Sequence, residues 1–277
     1  MKTRLMLLTG VLTLAGVVSA LAFNVDMSFD ARAKFTSEYL WRGKIISDDW
    51  CFQPAVSATA EGFSLQVWGT WDLAGVSNAT ERTRTDLSVE YAHTWPDEKL
   101  IGRAGLISYI YKDSTVSPWH KDTFEAYVGA DVLVPLLPSF TVYYDFSQID
   151  GFYATAGLRH SFDIVKSENA LGRRIKDWNC SLDLRADIGM ADKNYNEKMF
   201  DYGAKDNDGQ PVYKPAASLV DFTGTVSLPI TIVKKSLTIE PAVKYMTLID
   251  SKIRTSADNA GDDLDGWAYS VTLSLSF

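Results

Sequence analysis

Three histidines, His93, His120 and His160, are the side chains in this 277-residue sequence whose ordinary pKa suits proton transfer near neutral pH. As a general base, a histidine on a strand needs a nucleophile two positions along the same face or directly across. His93 has Tyr91 and Trp95 as along-strand neighbours, His160 has Leu158 and Phe162, and His120 lies in a loop. None has an along-strand serine, so the sequence is read as a non-enzyme. A lipid-modifying hydrolase would need a partner from a neighbouring strand. Metal chemistry fares no better. Asp206-Asn207-Asp208-Gly209 and Asp262-Asp263-Leu264-Asp265-Gly266 echo calcium loops, but placing either glycine at the sixth position puts Ala204 or Gly261 first and Pro215 or Thr272 twelfth. There is no Cys/His cluster for zinc and no phosphate-cradling glycine loop, and no cofactor or metal is expected. Asn78-Ala79-Thr80 fits a glycosylation sequon. Cys51 and Cys180 lie on distant strands with opposite parity, Cys51 inward and Cys180 outward, and are expected to be free thiols.

The remaining chemistry is charge, and it is ordered by parity. The chain ends Trp267-Ala268-Tyr269-Ser270-Val271-Thr272-Leu273-Ser274-Leu275-Ser276-Phe277, with apolar residues on one face and Ala, Ser and Thr on the other. Period two is a strand with one greasy side. About twelve such segments follow one another, at 30–43, 50–60, 63–73, 83–94, 100–111, 121–134, 139–148, 152–163, 178–190, 217–228, 236–248 and 266–277. Each has roughly the length of a tilted membrane strand. The expected fold is all-β, a transmembrane antiparallel up-and-down barrel of about twelve strands. An arginine or lysine on the lipid face costs about 2–4 kcal/mol near the bilayer midplane, so Arg185 must face the lumen and Leu184 the lipid. The same parity places Arg32, Lys34, Glu38 and Arg42 on the inner face of the first strand. Further along it places Asp72, Arg84, Asp86, Glu90, Glu125, Asp131, Asp145, Arg159, Asp183, Arg185, Asp187, Asp221, Glu240 and Lys244 inside. Charges of both signs in a narrow lumen either line a small aqueous pore or pair across it and plug it. Inward Trp68, Tyr127, Tyr143 and Tyr153 are read first as packing and second as contacts for a passing solute.

The amino terminus supports export. Lys2 and Arg4 precede an apolar run from Leu5 to Val18 and then Ala20-Leu21-Ala22, the pattern of a secretory signal peptide. Cleavage is expected after Ala22, leaving 23–277 as one barrel domain. Removing Lys2 and Arg4 leaves 25 basic residues against 35 acidic ones, a formal charge of −10. That balance is the opposite of a nucleic-acid-binding footprint. With 46% apolar residues and a mean hydropathy of −0.07, the chain is too polar for a helical membrane bundle and suits a barrel with a polar interior.

Connections alternate in length. Glu61-Gly62, Pro96-Asp97-Glu98-Lys99 and Pro135-Leu136-Leu137-Pro138 are tight turns on one side. On the other side lie 74–82, 112–120, 191–216 and 249–265, read as polar surface loops. The connection 164–177 is longer than its side predicts. Trp41, Trp50, Trp71, Trp95, Trp178 and Trp267 fall near strand ends, where they predict interfacial girdles.

The first hairpin carries Ser37-Glu38-Tyr39-Leu40-Trp41-Arg42-Gly43, then Gln53-Pro54-Ala55-Val56-Ser57 and Gly62-Phe63-Ser64-Leu65-Gln66-Val67-Trp68-Gly69. Over these roughly forty residues the sequence resembles the TorF-type porin family, with Lys44-Ile45-Ile46-Ser47 in place of the Ser-Gln that usually follows Arg-Gly. The terminal Phe277 is similar to the assembly signal of bacterial outer-membrane barrels. These resemblances imply a bacterial outer-membrane barrel of porin type, surrounded by outer-membrane lipid and delivered to the barrel-assembly machinery by its last strand, and the polar, doubly charged inner face predicts passive passage of small hydrophilic solutes. They carry over no catalytic residue or substrate. The alternative is a plugged barrel that presents surface loops for binding. Arg42 is expected to pair with an inward acid, and Gly43 to let the chain turn.

Overall fold

Alternation closes on itself in the computed structural model, which describes residues 26–73, 84–96, 99–111, 121–165, 178–201, 203, 213–232 and 236–277. The signal segment, the loops 74–82 and 112–120, nearly all of 164–177, His120, the sequon and residues 206–209 lie outside the described residues. The wall is a closed antiparallel up-and-down barrel of 12 staves. In order they are β1 (Met27–Thr36), β4 (Cys51–Ala60), β5 (Phe63–Asp72), β6 (Arg84–Thr94), β7 (Leu100–Tyr111), β8 (Thr123–Val132), β9 (Ser139–Asp145), β10 (Gly151–Val165), β11 (Trp178–Ala191), β12 (Ser218–Ser227) with its continuation β13 (Ile230–Ile232), β14 (Leu237–Leu248) and β15 (Asp265–Ser276). The first and last staves pair from Asp30↔Ser276 to Thr36↔Ser270, so no sheet edge is left open.

The last strand reads as expected. Trp267, Tyr269, Val271, Leu273, Leu275 and Phe277 are each at least 40% exposed on the outside. Leu65, Leu87, Leu106, Val128, Leu158 and Leu184 continue this apolar exterior around the wall. A contiguous belt of that kind is stable only against an apolar solvent. Replacing Leu184 by Arg is therefore expected to cost about 2–4 kcal/mol in vesicle-reconstituted urea unfolding, and Ser88→Arg on the inner face much less. Equal losses at the two sites would contradict the inside–outside assignment. Aromatic pairs mark the belt's rim at the end opposite the tight turns: Phe35–Phe52–Trp71, Phe124–Phe146, Tyr144–Phe152 and Tyr245–Trp267.

Glu61-Gly62 forms a two-residue turn with both φ positive, 50° and 83°. This matches the right-handed twist of the flanking strands. At the other end the connections are not all surface loops. Within 191–216 lies helix α1 (Lys193–Phe200), and within 249–265 helix α2 (Ser251–Ala260). Asp192 caps α1 by accepting from Tyr195 N, and Asp250 caps α2 by accepting from Lys252 N and Ile253 N. The reading of 191–216 as a solvated surface loop is thus corrected: Tyr195, Asn196, Met199 and Phe200 of α1 are buried.

The first strand is also corrected. It ends at Thr36, and the next stave begins at Cys51, directly across from it in register. Between them the chain leaves the wall as a small separate hairpin, β2 (Tyr39–Trp41) with β3 (Lys44–Ser47). Trp41 consequently lies within the barrel instead of in an interfacial girdle. The two cysteines are buried and unbridged.

Candidate functional site

Hairpin β2–β3 folds into the mouth of the barrel because its side chains find partners there. Leu40 packs with Met246 and Ala268 of the wall. Any Cβ on Gly266 would strike Leu40 Cδ2 at 2.6 Å, so the wall has made room for this contact. Lys244 donates its ammonium to the Leu40 carbonyl at 3.1 Å, Ser47 Oγ donates to Asp72 at 2.9 Å, and Ser37 N to the Tyr269 carbonyl at 2.9 Å. Helix α1 closes the mouth from the other side. Tyr195, Met199 and Phe200 form one core with Tyr153, Val220 and Leu248 of the wall and Ile253 and Ala257 of α2, and Trp41 packs against it.

Arg42 sits at the centre. It occupies the tip of the hairpin with φ 47°, followed by Gly43 with φ 77°. Its Nη1 and Nη2 donate to Oε1 and Oε2 of Glu125 at 2.6 and 2.9 Å, a bidentate pair whose side chains are 7% and 2% exposed. Tyr109 donates to Oε2 of the same carboxylate at 2.7 Å. The guanidinium carbon lies 4.4 Å from the ring centroid of Tyr143, 4.6 Å from Tyr153 and 4.7 Å from Trp41. The expectations that Arg42 meets an inward acid and that Gly43 permits a turn hold, though both residues are in the plug and not on the wall. Arg84 forms a second layer, donating to Asp86 at 2.9 Å and lying 4.8 Å from the rings of Trp41 and Tyr109.

Burial shifts the plug's titratable groups. It pushes the Lys44 ammonium down to about 8, opposed by Asp262 at 3.5 Å. It raises the Glu38 carboxyl, helped by Asp263 and Asp48, and raises the Tyr195 hydroxyl above its usual range against the pull of Arg42.

The inner-face residues named from parity divide between two levels. Those near the mouth are packed into the plug's surroundings. Asp221, 3% exposed, accepts from Tyr153 Oη at 2.9 Å. Asp145, 1% exposed, accepts from Thr123 Oγ1 and from the backbone N–H groups of Ser147, Gln148 and Ile149, so it caps a turn. Glu38 lies in the segment leading into the hairpin. Towards the tight turns the charges are more open. Arg185 chelates Asp187 at 2.7 and 2.9 Å with its side chain 53% exposed. Asp183 accepts from Ser161 and Ser181. Glu90 accepts from Tyr127 Oη at 2.7 Å, and Arg159 stands opposite Arg185 in register. Arg32, Lys34 and Glu240 complete this level on β1 and β14.

Arg103 was not singled out from sequence, yet it donates to Asp131 at 3.1 Å. Its parity with Tyr109 and Tyr111 was the available signal. Among the described residues the strand registers slip at Asp163/Val165 and at Val220, and the second slip carries Val220 off the outer face that parity predicts. A bulge between the Gly189–Asp221 and Met190–Leu219 pairs inserts Val220, which is buried beside the inward Asp221 while Leu219 is exposed.

Among the described residues, no group of three or more His, Cys, Asp and Glu side chains could hold a metal ion. Asp262 and Asp265 of the calcium-like segment face Lys44 and Arg254. His93 and His160 pack edge-on against Trp95 and Phe162.

No protein-family model matches this chain, and no curated protein matches it. Among solved structures it is similar to the KdgM porin, at 15% identity and TM-score 0.44, over 90% of this chain and 99% of that one. It is similar to LpxR from Salmonella typhimurium, at 10% identity and TM-score 0.48, over 90% and 99%. It is also similar to an outer membrane channel from Pseudomonas putida F1, at 7% identity and TM-score 0.43, over 92% and 97%.

Proposed function

We propose that this chain is a bacterial outer-membrane porin that passes small hydrophilic solutes passively, and that its own hairpin β2–β3 and helix α1 restrict its outer mouth. In this reading residues 1–22 are a cleaved signal peptide, outer-membrane lipid surrounds the belt, and the last strand, ending in Phe277, engages the barrel-assembly machinery. Both termini and the tight turns face the periplasm, and the lumen is lined by the charged residues named above. The observation that carries the reading is the solvated, doubly charged inner level: Arg103 and Asp131, with side chains 28% and 30% exposed, and Arg185 beside Asp187. Charges left in water within a barrel whose exterior is apolar mark an aqueous interior.

Refolded protein in planar bilayers is expected to give small conductance steps, with reversal potentials in a salt gradient favouring cations, because carboxylates outnumber basic groups on the inner face. A correctly folded sample without any steps would overturn the pore reading. It would favour the second reading, a plugged barrel that displays its loops for binding, which the buried Arg42–Glu125 pair supports. Under that reading, shortening 249–265 abolishes ligand binding and leaves the barrel intact.

A further inference from the structure

The guanidinium of Arg42 is held as a ligand would be held. Much of its cradle belongs to the wall and does not depend on the hairpin: Glu125 on β8, Tyr109 on β7, Tyr143 on β9 and Tyr153 on β10. The Tyr109 hydroxyl fixes the Glu125 carboxylate by donating to Oε2, the oxygen that also accepts from Arg42 Nη2. The tyrosine faces stand 4.4 and 4.6 Å from the guanidinium carbon. A carboxylate that presents both oxygens between aromatic faces fits a planar, delocalised cation with a fork of N–H donors better than a compact ammonium.

The occupant, in contrast, is presented under strain. Arg42 has φ 47° in a two-residue turn. Non-glycine side chains disfavour that region, and such turns ordinarily carry Asn, Asp or Gly there. There is also a route in. A cavity of about 290 Å³ beside α1 is lined by Trp41, Tyr109 and Glu125, and Asp145, Glu197 and Asp201 add carboxylates against the ammonium groups of Lys121 and Lys198. Its volume is several times the ~30 Å³ share of one water.

We propose that this cradle is a binding site for solutes bearing a free guanidinium group, for which Arg42 is the built-in competitor. The solute exchanges with Arg42 on Glu125 and frees the hairpin tip from the wall. Entry from the outer face, and any change in current, rest on the porin reading; the binding itself does not.

The test uses the full mature chain in detergent. Arg42→Ala is titrated with methylguanidinium chloride and, in parallel, with methylammonium chloride at equal ionic strength, well below denaturing concentrations. Methylguanidinium near saturation is expected to raise the melting temperature by about 2–4 °C and methylammonium not at all. The rise should vanish when Glu125→Gln is added. Arg42→Lys keeps the charge that the fold requires and lacks the fork, so it covers the case in which Arg42→Ala does not fold. It should respond at lower methylguanidinium concentration than the native chain. Equal responses to the two cations in the folded variants overturn the site. In bilayers, Arg42→Ala is expected to carry more current than the native chain, and methylguanidinium to depress it. A specific melting shift with no current in any variant leaves the site standing and removes the pore. A raised current with no guanidinium-specific shift removes the site and leaves the pore.

Discussion

Replacing residues 37–50 by Asn-Gly should turn a restricted barrel into an open one. Thr36 and Cys51 are already register partners, so a two-residue turn can join β1 to β4 without moving either stave. The excised segment carries Leu40, Trp41 and Arg42, which fill the mouth. Once it is gone, Glu125 faces water in place of a buried cation, and the wall gives up only the end bonds from Ser37 N to the Tyr269 carbonyl and from Leu73 N to the Trp50 carbonyl. Single-channel conductance is expected to rise on the order of tenfold, as a 12-stave lumen widens towards its own radius. Liposome swelling should extend to larger sugars. Conductance equal to that of the intact chain would mean that α1 alone sets the restriction, and removal of 193–200 in the same background would then produce the rise.

Glu125→Ala is the larger effect on stability. The change strands the Arg42 guanidinium, whose side chain is 7% exposed, without its carboxylate. Breaking a buried pair from one side costs about 3–5 kcal/mol, because the remaining charge keeps its desolvation penalty. The same change at Glu90, whose side chain is 25% exposed beside Arg103, should cost about 1 kcal/mol or less. Urea midpoints in lipid vesicles separate the two. Comparable losses would mean that the mouth is wetter than the burial of Arg42 and Glu125 implies.

The wall was legible in the sequence because a bilayer enforces parity over many consecutive residues. Leu184 and Arg185, or the alternating apolar residues of the last strand, have no other arrangement that satisfies lipid on one side. The plug was not legible for the same reason. Period-two alternation runs on through Tyr39 and Trp41, and an inward hairpin alternates like a wall strand, so 30–43 reads as one element until the wall itself shows where it ends. Helix α1 was hidden by polarity: Lys193, Asn194, Asn196, Glu197 and Lys198 read as solvated. The Tyr195–Met199 and Asn196–Phe200 spacings, one helical turn each, are meaningful only once a lumen exists to receive them. The Arg42–Glu125 contact was half legible. A lumen arginine needs an acid, but choosing among the inward acids requires the tip of the hairpin to be placed.

The register of the first and last staves also sets an order of events. Asp30 meets Ser276, so the barrel cannot close until β15 has been made, and the joining contact spans 246 residues. The hairpin is anchored on that late-arriving stave, through the Tyr269 carbonyl and beside Gly266 and Ala268. Until β15 arrives, Leu40 has Met246 of β14 to rest against but lacks Ala268. Closing the cylinder completes the seat of its stopper, which the earlier staves hold only through Asp72, Glu125, Lys244 and Met246.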